Sequence, residues 1–480
     1  MGSTAVTSDQ APPLGLGQLF SKNKKAIGLV LSIVVALAIW FAPTPDALPV
    51  AGQQTLAVTL FAVIWWIFGV VHPAYTTFVL FLGYILLDLA PPATVFRLWT
   101  IPLSWLMVGA FLLAGAVTKS GLARRVAYFF MIRYARSYNS IVVLAYVLGV
   151  VLSFLIPHPF PRTLLIMAIV SAILKKANAN KKDTVTIGLA VFVAATATSM
   201  VLLTGDAVLN VAGVGFSGEE VGWLEWAKYM AVPGLIASVL MMGLHFLMFK
   251  QTGPFEIDRE ALLQEQKELG PMSRDEWVTL GWIAFATVLW ATDFLHGIDP
   301  AWVAMAAAVG LSLPWIGDIL GPKEMSSSVN WPIIIFVVGA LAIGTVSSAT
   351  GLSEWLANTL LPDNPPSNAF AYAGMVGGVT MVIHMVLGSA LACMSIVAPP
   401  MVEYAKLAGW SPIFPALLVY TAVEIHYLFP FHHVTMLLGE GEVGGYSTTE
   451  TIKYGLPLTI VALIVMVGVQ VTWWMIVGLV

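Results

Sequence analysis

The chain has 480 residues, of which 59% are hydrophobic and only 10% charged, and a mean hydropathy of +0.87. An ordinary soluble domain is roughly 25% charged, so a soluble globular protein is excluded and most of the surface must face lipid. A net charge of −4 excludes nucleic acid as a partner, because phosphate neutralisation needs a concentrated excess of Lys and Arg. The single cysteine, Cys393, supplies neither an intrachain disulfide nor a metal cluster, and no cofactor or metal is predicted.

The polar tail, residues 1–25, ends in Lys22, Lys24 and Lys25 and reads as cytoplasmic. An apolar run over 26–42 follows, then Pro43, Pro45 and Asp46 with no small-x-small cleavage site, which predicts a retained first span and not a signal peptide. Further spans of bilayer-crossing length are predicted at 52–70, 75–91 and 103–118. The next apolar stretch, 140–175, is interrupted by Pro157, Pro159 and Pro161. A helix broken in lipid must hide its freed backbone groups in protein or in a water-filled cavity, so this stretch is predicted to be a re-entrant hairpin, two ordinary short spans being the alternative. Basic residues flank both of its ends, Lys119, Arg124, Arg125, Arg133 and Arg136 before it and Lys175, Lys176, Lys181 and Lys182 after it. Both ends therefore read as cytoplasmic, which a hairpin satisfies and a single crossing does not.

Spans at 186–213 and 229–249 complete the first half, 26–250. The acidic loop between them, with Glu219, Glu220 and Glu225, is placed outside. The linker 251–276 carries Asp258-Arg259-Glu260 and Glu265-x-Lys267-Glu268 and is predicted to be a cytoplasmic amphipathic helix. The second half, 277–480, contains spans at 276–293, 300–316 and 331–349, a second hairpin over 370–407 broken at Gly388, and spans at 412–435 and 454–479. The fold predicted is an all-α polytopic membrane protein of about eleven transmembrane helices and two re-entrant hairpins, with the N-terminus inside and the C-terminus outside. Its seventeen tryptophans read as interfacial belt residues against membrane lipids.

The halves resemble each other. Gly109-Ala110, Gly121-Leu122 and Ala127 are matched by Gly339-Ala340, Gly351-Leu352 and Ala357 at a constant offset, and Lys228-Tyr229-x3-Pro233 is echoed by Lys453-Tyr454-x2-Pro457. With an odd number of spans in each unit, such copies are inverted, the usual plan of secondary transporters.

The two Gly-Ala spans ending in Ser120-Gly121-Leu122 and Thr350-Gly351-Leu352, the two hairpins, and the closing Pro430…Gly439…Lys453-Tyr454-Gly455-Leu456-Pro457 resemble the divalent anion/sodium symporter family, carriers of dicarboxylates, citrate and sulfate. The resemblance implies a homodimer in which a transport domain moves against a fixed scaffold, an elevator mechanism, and no enzymatic activity. The family's Ser-Asn-Thr tip signatures are replaced here by Pro157-His158-Pro159 and Ser389-Ala390-Leu391, and its Thr-Pro-Pro loops by Thr204-Gly205-Asp206 and His432-His433-Val434-Thr435.

Arg162 stands one turn from the apex of the first hairpin, where an arginine costs at least about 2.5–3.5 kcal/mol on insertion scales and normally has a function or a partner. The reading is a secondary active carrier, symporter or antiporter, of a small anion (an organic carboxylate, a sulfonate or sulfate) in the bacterial inner membrane, driven by exchange or protons and not by sodium. Substrate is assigned to His158, Arg162, Thr163, Gly388, Ser389, Thr204 and Thr435, and ion coupling to Asp206, Asn210, Glu424, His426, His432 and His433. In the alternative reading of Arg162 it pairs with Asp206 and braces the fold. Two other functions stay open: a proton-coupled cation antiporter using Asp206 and Glu424, and an intramembrane enzyme using Glu424, His432 and His433.

Overall fold

A computed structural model describes residues 16–480; residues 1–15 of the expected tail lie outside them. Among the described residues the chain is all-helical, with a lone bridge between Glu440 and Tyr446. Seven helices among the described residues are long and apolar enough to cross a bilayer, and Pro73–Leu86, Tyr138–Ser153, Pro300–Ser312 and Ile413–Ile425 are shorter apolar helices.

Several predicted spans differ in extent, each for a local reason. The span at 75–91 ends at Leu86, because Asp88 takes a left-handed conformation (φ 56°) and Pro91-Pro92 follow. The span at 300–316 ends at Ser312, since Pro314 removes the donor and the space that a further turn needs. The span at 186–213 is two helices, Lys181–Ser199 and Leu209–Ser217, and the one at 412–435 is Ile413–Ile425 and Val434–Gly439. The apolar sequence through Leu202 and Leu203 hides the first of these breaks.

Both interrupted stretches form helical hairpins. Tyr138–Ser153 and Pro159–Lys176 pack side by side around a tip at 154–158. Ala369–Leu387 and Ala390–Leu407 meet at a two-residue tip, where Gly388 adopts φ 61°, a conformation costly to other residues. The first hairpin packs on Lys181–Ser199, the second on Ile413–Ile425, and the two broken helices meet through Leu209–Ser217 and Ile413–Ile425.

The matched glycines of the two halves sit at corresponding crossings. A Cβ on Gly109 would lie 2.7 Å from Ala304 Cβ, and one on Gly339 would lie 2.4 Å from Thr77 Cγ2. Each therefore lets its helix approach a partner from the other half at backbone distance, the role of small residues in membrane helix packing.

The linker helix Arg259–Glu268 packs on Leu122–Tyr134, beside the end of the first hairpin at Lys176. Glu265 accepts Lys176 Nζ at 2.6 Å and the hydroxyl of Tyr128. Arg125 donates to both oxygens of Glu276, at 2.7 and 3.0 Å, and to the carbonyls of Leu269, Gly270 and Pro271. Asp183 takes the amides of Thr252 and Gly253. The linker is thus strapped to the body of the protein along its length.

The Lys176 ammonium, and after it the Tyr128 hydroxyl, hold the Glu265 carboxyl below the usual glutamate range. A lowered folded-state pKa stabilises the docked strap above the unfolded value of about 4.3 and is lost as pH falls through the folded value. A spin label at Leu263→Cys in a Cys393→Ser background should therefore stay immobilised from neutral pH down to about 4.3 and be freed only below it. Lys176→Met should move that release to higher pH; a label already mobile at neutral pH would contradict the strap.

Candidate functional site

Between the hairpin tips lies a cavity of about 290 Å³ whose polar wall consists of His72, His158, Asp206, Ser389, His432 and His433. Five of these six cap helix N-termini. His72 Nδ1 accepts the Ala74 amide at 3.3 Å, His158 Nδ1 that of Phe160 at 3.3 Å and His433 Nδ1 that of Thr435 at 3.2 Å. Asp206 Oδ1 takes Val208 N at 2.8 Å and Leu209 N at 3.2 Å, and Ser389 Oγ takes Ala392 N at 3.4 Å. Helix N-termini carry partial positive charge and orphan amides, so their convergence favours an anion. The capping bonds also fix the histidines: a neutral ring that accepts through Nδ1 carries its proton on Nε2, leaving an uncharged donor to face the cavity. The remaining walls are apolar, chiefly Leu209, Pro332, Phe336, Leu391 and Phe431.

Of the residues assigned from sequence to substrate, the structure brings His158, Gly388 and Ser389 together in this wall. Arg162 is set behind it, fully buried. Its Nη1 donates to Ile156 O (3.2 Å) and Gly205 O (3.0 Å), and its Nη2 to Ser199 Oγ (2.9 Å). The guanidinium thus ties the first hairpin tip to the break in 181–217, and Ala207 N bonded to Pro157 O at 3.0 Å adds a second tie. Among the described residues no ion pair joins Arg162 to Asp206, whose Oδ1 is committed to the cap. Thr163 donates to Pro159 O, Thr204 accepts Trp223 Nε1, and Thr435 is fully buried; all three stand outside the wall.

Of the coupling candidates, Asp206, His432 and His433 line the cavity. Asn210 gives its amide hydrogens to the carbonyls of Ser199, Leu202 and Leu203, closing the orphan acceptors of the break. His426 Nε2 bonds Thr459 Oγ1 at 3.2 Å, away from the cavity. Glu424 is fully buried, with Oε2 3.6 Å from His433 Nε2.

A larger vestibule of about 650 Å³ has Lys119 and Glu324 among its lining residues and reaches His158 and Pro332. These two residues line both spaces. Sequence reasoning missed His72, although a signal was present: His72-Pro73 repeats His158-Pro159, a cap followed by proline at the first helical position, where proline's missing N–H costs nothing.

Replacing Arg162 by lysine leaves one ammonium where a planar fork now holds three groups. Hydrogen bonds from a charged donor contribute about 1.5–3 kcal/mol each, so Arg162→Lys should lower the thermal unfolding midpoint clearly in detergent. An unchanged midpoint would show that the guanidinium does not hold the break.

Residues 23–480 match the profile described as the sodium:sulfate symporter transmembrane region. A protein of Cupriavidus necator described as a membrane protein is 25% identical, the alignment covering 93% of this chain and 92% of that one. Dicarboxylate transporter 1 of Arabidopsis thaliana chloroplasts is 24% identical over 99% of this chain and 87% of its own. The sodium-dependent dicarboxylate transporter SdcS of Staphylococcus aureus is 25% identical over 71% and 72%. With the family profile matched along nearly the whole length, the chain belongs to the sodium:sulfate symporters, the divalent anion/sodium symporter family, and is an integral membrane anion transporter and not an enzyme.

Proposed function

We propose that the protein is a secondary active carrier of a small organic carboxylate, sulfonate or sulfate, held in the cavity between the two hairpin tips. The observation that carries this reading is the convergence of capped helix N-termini, those of Pro159–Lys176, Leu209–Ser217 and Ala390–Leu407 among them, on one enclosed space. The anion is met by the Nε2–H of His158, the Ser389 hydroxyl and the helix-end amides behind them, with the His433 ring in the wall beside them. Arg162 contributes a buried positive charge and holds the first tip in register, with Thr163 in the same turn. Thr204, which accepts Trp223 Nε1, and the buried Thr435 lie at the two breaks beside the cavity. At about 290 Å³ the space lies at the small end of ligand sites, about 300–1,000 Å³, which suits a compact anion.

The mechanical reading is an elevator within a homodimer in the bacterial inner membrane. The first hairpin enters from the cytoplasmic side and the second, its inverted counterpart, from the opposite side; both move together with the broken helices on which they pack. Pro73–Leu86 and Trp331–Ala349, which pack on each other and supply His72, Pro332 and Phe336 to the cavity, form the static wall. The halves are inverted copies: in each, a helix ending at a left-handed glycine, Gly121 or Gly351, is followed by a short helix, a hairpin, a broken helix and a long helix with an internal proline.

Transport runs by anion exchange or with protons and not with sodium, because a guanidinium within several ångströms of a sodium site repels the ion by several kcal/mol at intermediate dielectric. Uptake of labelled succinate, sulfate and isethionate into proteoliposomes tests both claims. Saturable uptake of at least one is expected, unchanged when choline replaces sodium. Ser389→Ala should raise KM by about fivefold, the loss of one neutral hydrogen bond of about 1 kcal/mol. Uptake rising steeply with sodium would overturn the coupling assignment, and no uptake of any of the three would count against the cargo class.

A further inference from the structure

We infer that Glu424 and His433 form the proton-binding site that couples transport, a deepening that rests on the carrier reading above. Glu424 lies in the last turn of Ile413–Ile425, fully buried. Both of its oxygens lack a hydrogen-bond partner, as does His433 Nε2, whose N–H sits beside Oε2 with the heavy atoms 3.6 Å apart. Buried polar atoms are ordinarily satisfied, and a fully buried, undonated carboxylate is costly unless it takes up a proton.

Local geometry decides where the proton resides. The carboxyl sits at the C-terminal end of its helix, where the exposed carbonyls add negative potential and favour the neutral acid. His433 caps the N-terminus of the next helix through Nδ1, so a second proton on the ring would break that bond and meet the positive end of the helix. The added proton therefore goes to the Glu424 carboxyl, and the neutral imidazole, which lines the cavity, holds its Nε2–H beside that carboxyl.

The charges facing the pair are few. Arg162 from the first hairpin and Asp206 from the first break act on Glu424, and His158 lies within reach of His433. Tyr420 and Tyr427, on the same segment as Glu424, and Tyr454 of the last helix are phenols, uncharged near neutral pH. His384 of the second hairpin is turned to the His432 carbonyl. With neutral imidazoles the enclosure holds one positive charge and two negative ones, and an entering anion meets net repulsion. One proton on Glu424 removes it. Anion and proton then bind with mutual reinforcement, and linkage makes the effect reciprocal: anion affinity rises as pH falls.

Succinate serves as the probe, in proteoliposomes of the full chain. An acid-outside gradient of about one pH unit should raise initial wild-type uptake by up to about tenfold, one linked proton's worth, and Glu424→Gln should reduce that ratio to one. An undiminished gradient response in Glu424→Gln overturns the assignment. Infrared difference spectra of the protein in lipid, titrated over about pH 5–8, provide a readout independent of transport. A protonated-carboxyl band present in the wild type, absent from Glu424→Gln and shifted in His433→Gln supports the site, and its absence from the wild type overturns it. If the wild type moves no succinate while the carboxyl band behaves as expected, it is the cargo assignment that fails and not the proton site.

Discussion

Backbone hydrogen bonding in a low-dielectric interior is the constraint on which the rest of the structure depends. Two hairpin tips and two broken helices lie within the protein, and each break frees amides on one side and carbonyls on the other. The carbonyls at the first tip and the first break are closed by side chains: Asn210 takes three at the break and Arg162 takes Ile156 O at the tip and Gly205 O at the break. The amides are met from the other direction, by His158, Asp206, Ser389 and His433 acting as caps. What is left over is a ring of donor-rich helix ends around an enclosed space. The site is the residue of the solution to a folding problem, and the same side chains that make the breaks tolerable give the space its affinity for negative charge.

This division of labour changes the meaning of Arg162. From sequence it reads as the fixed cation of an anion site. In the structure its Nη1 and Nη2 donate to backbone carbonyls and to Ser199, and it acts on the cavity through its field. Charge reaches further than contact in a poorly polarisable medium, so an arginine behind the wall can offset Asp206 in the wall without touching cargo. The cavity presents neutral donors at its surface while the formal charges are held behind or locked in a cap.

Much of this was legible in the residues. Composition alone excluded a soluble fold. The prolines at 157, 159 and 161 and the glycine at 388 located both tips, because they interrupt long apolar runs near their middle. The matched glycines at 109 and 339 were visible as a repeat, although their purpose, a close approach to Ala304 and Thr77, depends on partners more than one hundred positions away. The break after Ser199 was not legible in extent, since Val201, Leu202 and Leu203 are as apolar as the helix they end. Neither was the direction of any polar side chain: Thr163 and Thr204 sit beside the tip and face away from the cavity, and His72 faces it from a segment that hydropathy treats as an ordinary span boundary.

The pairing of Gly109 with Ala304 and of Gly339 with Thr77 joins helices from opposite halves of the chain. Residues 73–86 and 102–120 are made early in synthesis, yet their closest partners are residues 331–349 and 300–312. Until those later segments leave the ribosome, the glycine-bearing and threonine-bearing faces have only lipid against them, and lipid cannot fill a notch cut for a helix backbone. Neither half carries a complete set of interfaces, so the order of biogenesis follows: insertion proceeds from the N-terminus, whereas consolidation waits for the second half and then occurs across the whole molecule.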